Sequence, residues 1–154
     1  MNKQDVIDIY ILTLEKTIRE IEVSLKTIRI DIDDSPSPTQ SHSDTTRSRL
    51  AGVESEISRR LSSLRETRIM ADSIFSRKLD YPTVGALIEI MDKNAGKKEY
   101  YFIIPGGGGE RLNVNGLEVI SVSMGAPIIE VISETQVGRT VEFRGRTLTL
   151  LDIS

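Results

Sequence analysis

The sequence predicts an α+β fold: an N-terminal antiparallel α-helical coiled-coil hairpin followed by an antiparallel sheet domain with one short helix. Three observations carry this expectation. First, Ile7, Ile11, Leu14, Ile18, Ile21, Leu25, Ile28 and Ile32 repeat at spacings of 4, 3, 4, 3, 4, 3 and 4. That 3.5-residue period keeps a narrow apolar seam on one side of a helix and calls for a partner helix rather than a broad core. Second, residues 3 to 34 hold eight acidic and five basic side chains, and residues 44 to 78 hold five acidic and eight basic. The arms carry opposite net charge, which favours pairing of the first with the second over pairing of either with its own copy. Third, the helical period gives way beyond Pro82 to short runs of β-branched and aromatic residues separated by Gly, Asn and charge.

The first helix, from Lys3 to Ile32, would be about 45 Å long. It stops at Ser35-Pro36-Ser37-Pro38, where proline breaks helical geometry. A second helix starts at Ser43 or Asp44, whose side-chain oxygens accept the first unpaired backbone N–H groups. Its seam reads Leu50, Val53, Ile57, Leu61 and Leu64, then slips near Arg68, Ile69 and Met70. It ends before Asp80-Tyr81-Pro82, since proline disfavours helix in the preceding residue. The domains are therefore 1–79, with a tip loop at about 33–43, and 80–154.

Within the second domain five strands are expected: Val84 to Met91, Glu99 to Ile104, Leu117 to Val122, Thr140 to Phe143 and Leu148 to Ile153. Asn94-Ala95-Gly96 and Arg144-Gly145-Arg146 read as hairpin turns, and Gly106 to Gly109 as a flexible loop. Ala126-Pro127 followed by Ile128, Ile129, Val131 and Ile132 suits a short helix with proline in its first turn. Tyr100 and Tyr101, being consecutive, fall on opposite sheet faces.

Composition narrows the chemistry. The chain has 154 residues, no Cys and one His, His42, which excludes thiolate metal sites and most His-based catalytic constellations. Catalytic roles must rest on carboxylates. The tetraglycine segment lacks the Lys-Ser/Thr of a phosphate-binding P-loop. No apolar run approaches the ~20 residues needed to span a bilayer, and Met1 to Asp8 lacks the basic-then-apolar order of a signal peptide. A cytoplasmic protein with no membrane partner is expected. Net acidity without a basic tail argues against sequence-specific DNA binding.

The order of elements, together with particular residues, resembles the bacterial Gre transcript-cleavage family. The matching stretches are Val84-Gly85-Ala86-Leu87-Ile88, Tyr101-Phe102-Ile103-Ile104, Ile120-Ser121-Val122, Ala126-Pro127-Ile128-Ile129-Glu130-Val131-Ile132 and Val137-Gly138-Arg139-Thr140-Val141. Ala126 stands where the family has Ser, Ser133 where it often has Gly, and Arg139 where it has Asp; Ser123-Met124 is an insertion. At the tip, Asp31-Ile32-Asp33-Asp34-Ser35-Pro36 replaces the family's Asp-Leu-Ser-Glu-Asn-Ala.

The resemblance implies an FKBP-like C-terminal domain that binds RNA polymerase, and a coiled coil that enters the polymerase secondary channel near the 3′ end of nascent RNA. It further implies a transcription elongation regulator rather than an enzyme, one that assists the polymerase's own transcript cleavage. No tightly bound cofactor is expected, only an Mg²⁺ shared with the polymerase active site. On this basis the candidate tip carboxylates are Asp31, Asp33, Asp34 and Asp44, with Asp33 and Asp34 as ligands of the shared ion, since Mg²⁺ prefers hard oxygens and often takes only one or two from a protein. Arg47, Arg49, Arg59 and Arg60 are candidates for RNA or channel contact, and Pro127, Ile128, Ile129 and Val131 for polymerase contact.

Plainer roles stand beside these. Asp33 and Asp34 also solvate a turn, Asp44 also caps a helix, Asp31 also pairs with Arg47 or Arg49, and the arginines also balance the acidic first helix. The alternatives are a Gre-like inhibitor or modulator without cleavage activity, an FKBP-like peptidyl-prolyl isomerase, and a coiled-coil adaptor. The isomerase reading is short of aromatics, with only Tyr100, Tyr101, Phe102 and Phe143 after Pro82 and no Trp.

Overall fold

A computed structural model describes residues 1–34 and 46–154. Two long helices, α1 (Lys3–Asp34) and α2 (Thr46–Phe75), precede six strands and a third helix. The strands are β1 (Leu87–Asp92), β2 (Lys97–Ile104), β3 (Arg111–Val114), β4 (Leu117–Ser123), β5 (Thr140–Phe143) and β6 (Arg146–Ile153), and α3 (Pro127–Ser133) lies between β4 and β5. The fold is α+β. The expected N-cap residues Ser43 and Asp44 lie outside the described residues. The second helix ends at Phe75, five residues short of Asp80.

The chain divides into two compact units, Leu12–Met70 and Met1–Ile11 with Ala71–Ser154. Leu12–Met70 is an antiparallel helix pair. Every predicted seam position of α1 within it, from Leu14 to Ile32, is buried or half-buried. The α2 seam departs from expectation: Val53 is exposed and Glu54 is half-buried. Leu50, Glu54, Ile57, Leu61, Leu64, Arg68, Ala71 and Phe75 then keep the 4 and 3 spacing without a slip. Two charged seam residues are tolerated because each has a partner on α1. Arg29 Nη2 lies 2.7 Å from Glu54 Oε1, and Arg68 Nε lies 2.7 Å from Glu15 Oε1. Arg65 and Glu22 form a further pair at 2.6 Å. The bonds from Arg29, then that from Ser58, hold the Glu54 carboxyl below its usual range. Charge at a seam position weakens packing and fixes register.

In the other unit the sheet order is β3-β4-β2-β1-β6-β5. The sheet is mixed rather than antiparallel throughout, because β2 and β4 run parallel from Tyr100↔Val119 to Ile104↔Ser123. The 12 residues between them supply the crossover that parallel pairing needs. Within that crossover lies β3, an edge strand additional to the five expected. Its hairpin with β4 turns on Asn115 and Gly116, at φ 52° and 82°, the left-handed pair that an Asn-Gly turn provides. The expected turns at Asn94 to Gly96 and at Arg144-Gly145 join β1 to β2 and β5 to β6.

Both sheet faces are covered. Ile88, Ile90, Tyr101, Ile103, Leu148 and Leu150 form one core with Ile128, Ile129 and Ile132 of α3. On the opposite face Phe102 meets Tyr10 and Phe75 edge-on, at ring-centre distances of 5.5 and 5.1 Å, and those two rings lie 5.5 Å apart. Burial, reinforced by Glu110, pushes the Tyr10 phenol up to about 12. Lys3 Nζ donates to the Arg77 carbonyl at 2.5 Å, and Asn115 Nδ2 donates to Asp5 Oδ2 at 2.8 Å.

The tetraglycine segment is anchored rather than loose. Gly109 N–H donates to the Ser121 carbonyl at 2.7 Å, and Ser121 N–H donates to the Glu110 carbonyl at 2.9 Å. Gly108 sits at φ +113°, and a Cβ there would meet Ser121 O and Val122 Cα at 3.0 Å. Close approach of two backbones therefore requires glycine at this position.

Candidate functional site

Asp31, Asp33 and Asp34 lie in the last turn of α1, all exposed, with half-buried Ile32 of the seam between them. The helix dipole leaves partial negative charge at this end, so each carboxylate there costs roughly 0.3–1 kcal/mol where a cation would stabilise. No basic residue occupies that turn. Asp44 lies outside the described residues. Among the described residues no group of three or more His, Cys, Asp or Glu side chains is placed to hold a metal ion. Asp33 and Asp34 thus fit an ion only as a pair of oxygen donors whose remaining ligands come from water or from a partner, a mode that suits Mg²⁺.

On α2, Arg47 is half-buried, and Arg49, Arg59 and Arg60 are exposed. Arg65 and Arg68 of α2 pair with Glu22 and Glu15 of the acidic first helix. Glu54 and Arg68 escaped the sequence reading. The signal was present, since both fall on the heptad spacing, but an apolar-only reading of the seam passes over charged members.

In α3 the four candidates separate. Ile128 and Ile129 are 8% and 0% exposed and belong to the core. Pro127 is exposed and Val131 half-buried, and Glu130 and Ser133 are the other exposed residues of the helix. Ala126 occupies the N-cap in extended geometry without a side-chain capping bond.

A second cluster of titratable groups lies on the sheet. Asp92, 3% exposed, accepts from the N–H groups of Asn94 and Ala95 at 2.9 and 3.0 Å and from Arg146 Nε at 2.8 Å. Arg146 Nη2 lies 2.7 Å from both Asp92 Oδ2 and Glu99 Oε1, and the Tyr101 hydroxyl donates to Glu99 Oε2 at 2.8 Å. The Ala95 N–H, against burial and with help from Arg146 and Asn94, holds the Asp92 carboxyl below its usual value. Burial pushes Glu99 up, yet its bonds from Arg146 and Tyr101 outweigh this and hold it low. Burial and Glu99 push the Tyr101 phenol up to about 12.

These bonds tie the β1–β2 turn to β6 and identify the cluster as a structural clamp. A cleft of about 420 Å³ beside it is lined by Lys97, Lys98, Glu99, Arg111, Glu118 and Arg146 around Tyr100 and Tyr101. A proline ring wants an apolar aromatic wall, and here Leu117, Ile120 and the two tyrosines share the lining with four cations and two carboxylates.

The clamp sets an acid limit. Both carboxyls titrate below their unfolded values, so their contribution is present above about pH 4 and is lost as pH falls through the lower folded values. Arg146→Gln removes the cation and leaves the Tyr101 bond and Lys97 against burial at Glu99, so both carboxyls move back toward their unfolded values. That variant should lose stability at pH 7 and show a shallower loss than the wild type as pH falls from about 4. Urea unfolding at a series of pH values reads this directly, and parallel slopes in the two proteins would contradict the assignment.

Comparison with known proteins gives the following. No protein-family model matches the chain, and neither does any curated protein. Among solved structures, it is similar to the crystal structure of GreA factor homolog 1 (Gfh1) of Thermus thermophilus, at 12% identity and TM-score 0.37 over 94% of each chain. A structure of the transcription factor Gfh1 aligns at 12% identity and TM-score 0.37, over 93% of this chain and 92% of that one. Thermus aquaticus Gfh1 aligns at 14% identity and TM-score 0.35, over 92% and 91%. At so few shared residues no side-chain role transfers.

Proposed function

We propose that this chain is a bacterial transcription elongation regulator of the Gre type. It binds RNA polymerase through the C-terminal sheet domain and inserts its helical hairpin into the secondary channel, close to the 3′ end of nascent RNA. The observation that carries the reading is the exposed Asp31, Asp33 and Asp34 in the last turn of α1. Carboxylates at a helix C-terminus oppose the dipole, so Asp33 and Asp34 cost the helix end stability and are explained by a role that needs anionic oxygens. The sequence resemblance from Val84 onward supplies the polymerase.

In this reading Asp33 and Asp34 offer oxygens to an Mg²⁺ shared with the polymerase active site, and Asp31 and Asp44 add negative charge beside them. Such an ion supplies charge stabilisation and an activated water for phosphoryl chemistry. Arg47, Arg49, Arg59 and Arg60 of α2 meet RNA or the channel wall, and Pro127 and Val131 contribute to the polymerase contact. The chain is a cytoplasmic regulator of the polymerase's own chemistry. A second reading, modulation without cleavage, is favoured by the replacement of the family's tip motif with Asp31-Ile32-Asp33-Asp34.

Two measurements test this. The chain should bind purified bacterial RNA polymerase and stimulate release of short 3′ fragments from backtracked elongation complexes. Changing Asp31, Asp33 and Asp34 to Asn should abolish the stimulation, and changing Asp33 and Asp34 alone should also raise the melting temperature, because unfavourable helix-end charge is gone; Asp44→Ala tests the fourth carboxylate. Binding without stimulation by the wild type assigns the modulator reading. Absence of binding overturns both.

A further inference from the structure

The helix pair has an outer face on α1 that its own seam does not use and to which the polymerase reading assigns no residue. On α1, Leu12, Lys16, Arg19, Val23, Lys26 and Ile30 follow one another at spacings of 4, 3, 4, 3 and 4. This is the period of the internal seam displaced by two positions, a rotation of about 200° that carries it to the outer side of the helix. The strip is about 27 Å long. Its aliphatic members are far more exposed than packing within this chain would leave them: Leu12 60%, Val23 68% and Ile30 52%.

The other three members are cations, and the strip contains no carboxylate. Among the described residues Arg19 and Lys26 make no ion pair, and Lys16 has only a 3.8 Å contact with Glu20, both side chains being well exposed. Of the acidic residues that flank the strip, Glu15 and Glu22 are turned to Arg68 and Arg65 of α2, and Glu20 is exposed beside Lys16. Beside it a largely apolar groove of about 340 Å³ runs between the helices, with Ile18 and Ile69 in its lining and Arg19 shared with the strip. Ile69 is 79% exposed.

We propose that this outer face of α1 docks an acidic amphipathic helix of a partner protein, making a third strand on the coiled coil. A heptad strip selects a helix, because knobs at 4 and 3 spacing fit the holes of another helix. Cations at the second, third and fifth of its six positions select Glu or Asp on that helix and disfavour a second copy of the same face, which would set like charges together. A nucleic-acid backbone has no use for the aliphatic members between the cations.

The test uses the full chain and a synthetic three-heptad helical peptide whose seam sets Leu opposite Leu12, Val23 and Ile30 and Glu opposite Lys16, Arg19 and Lys26, against its Lys-for-Glu twin and a short single-stranded RNA. In fluorescence anisotropy at low salt the wild type should bind the Glu peptide in preference to both other probes. The variant carrying Lys16→Glu, Arg19→Glu and Lys26→Glu should weaken that binding roughly 10- to 100-fold and switch its preference to the Lys peptide, a gain that misfolding does not produce. Leu12→Ser with Val23→Ser should weaken both pairings without the switch. The proposal is overturned if the wild type shows no preference for the Glu peptide, if charge reversal leaves the affinities unchanged, or if RNA binds more tightly and displaces the peptide.

Discussion

Replacing Phe102 by Ala should destabilise the sheet unit by about 3–5 kcal/mol, read as a fall in the urea midpoint with little change in slope. Phe102 is fully buried, and its ring is the shared member of two edge-on contacts, with Tyr10 from α1 and with Phe75 from α2. Truncation removes the ring's burial and both aromatic contacts, each worth about 0.5–1.5 kcal/mol beyond area. Tyr10 and Phe75 are then left facing a cavity that the surrounding strands cannot close. Phe102→Leu keeps most of the volume and should cost under about 2 kcal/mol. Equal costs for the two variants would show that the ring geometry is incidental.

The second large effect is expected at Gly85. Its φ is +92°, and a Cβ would stand 2.9 Å from the Ile74 carbonyl oxygen and 3.3 Å from Phe75 Cδ1. Its N–H also donates to the Ile103 carbonyl at 2.8 Å, so the backbone cannot retreat without losing that bond. Gly85→Ala therefore combines left-handed strain with overpacking against main chain, and should cost on the order of 2–5 kcal/mol. Gly96 is the internal comparison. It also has a positive φ, +64°, but nothing lies within 4 Å of its would-be Cβ. Gly96→Ala should cost only about 1 kcal/mol, from the dihedral alone. If denaturant unfolding gives the two variants the same cost, contact at Gly85 is not what requires glycine there.

Both effects arise where residues far apart in sequence are pressed together, and neither was legible beforehand. Phe102 read as one of three consecutive aromatics, with nothing to say that Tyr10 and Phe75 would meet it. The seam of α1 was legible because a heptad period is local and eight apolar residues in succession keep it. That of α2 was legible only in part: Glu54 and Arg68 qualify as seam members through partners on the other helix, Arg29 and Glu15. The tip carboxylates Asp31, Asp33 and Asp34 could be placed at the end of α1 from sequence, since the break at Pro36 follows directly. The outer strip of α1 has the same period as the seam, but its mixed chemistry hides it until exposure separates the two.

By itself the sequence determined the two long helices, the β1–β2 and β5–β6 hairpins and the proline-started α3, because each is specified by neighbours within a few residues. Tertiary structure decided the rest. It set β2 beside β4 in parallel, formed β3 on an edge through Asn115-Gly116 and chose Ile128 and Ile129 for the core over the surface. It also grouped Met1–Ile11 with the sheet. Those outcomes depend on which distant surface covers a given side chain, and burial against a distant partner leaves no period in the local sequence.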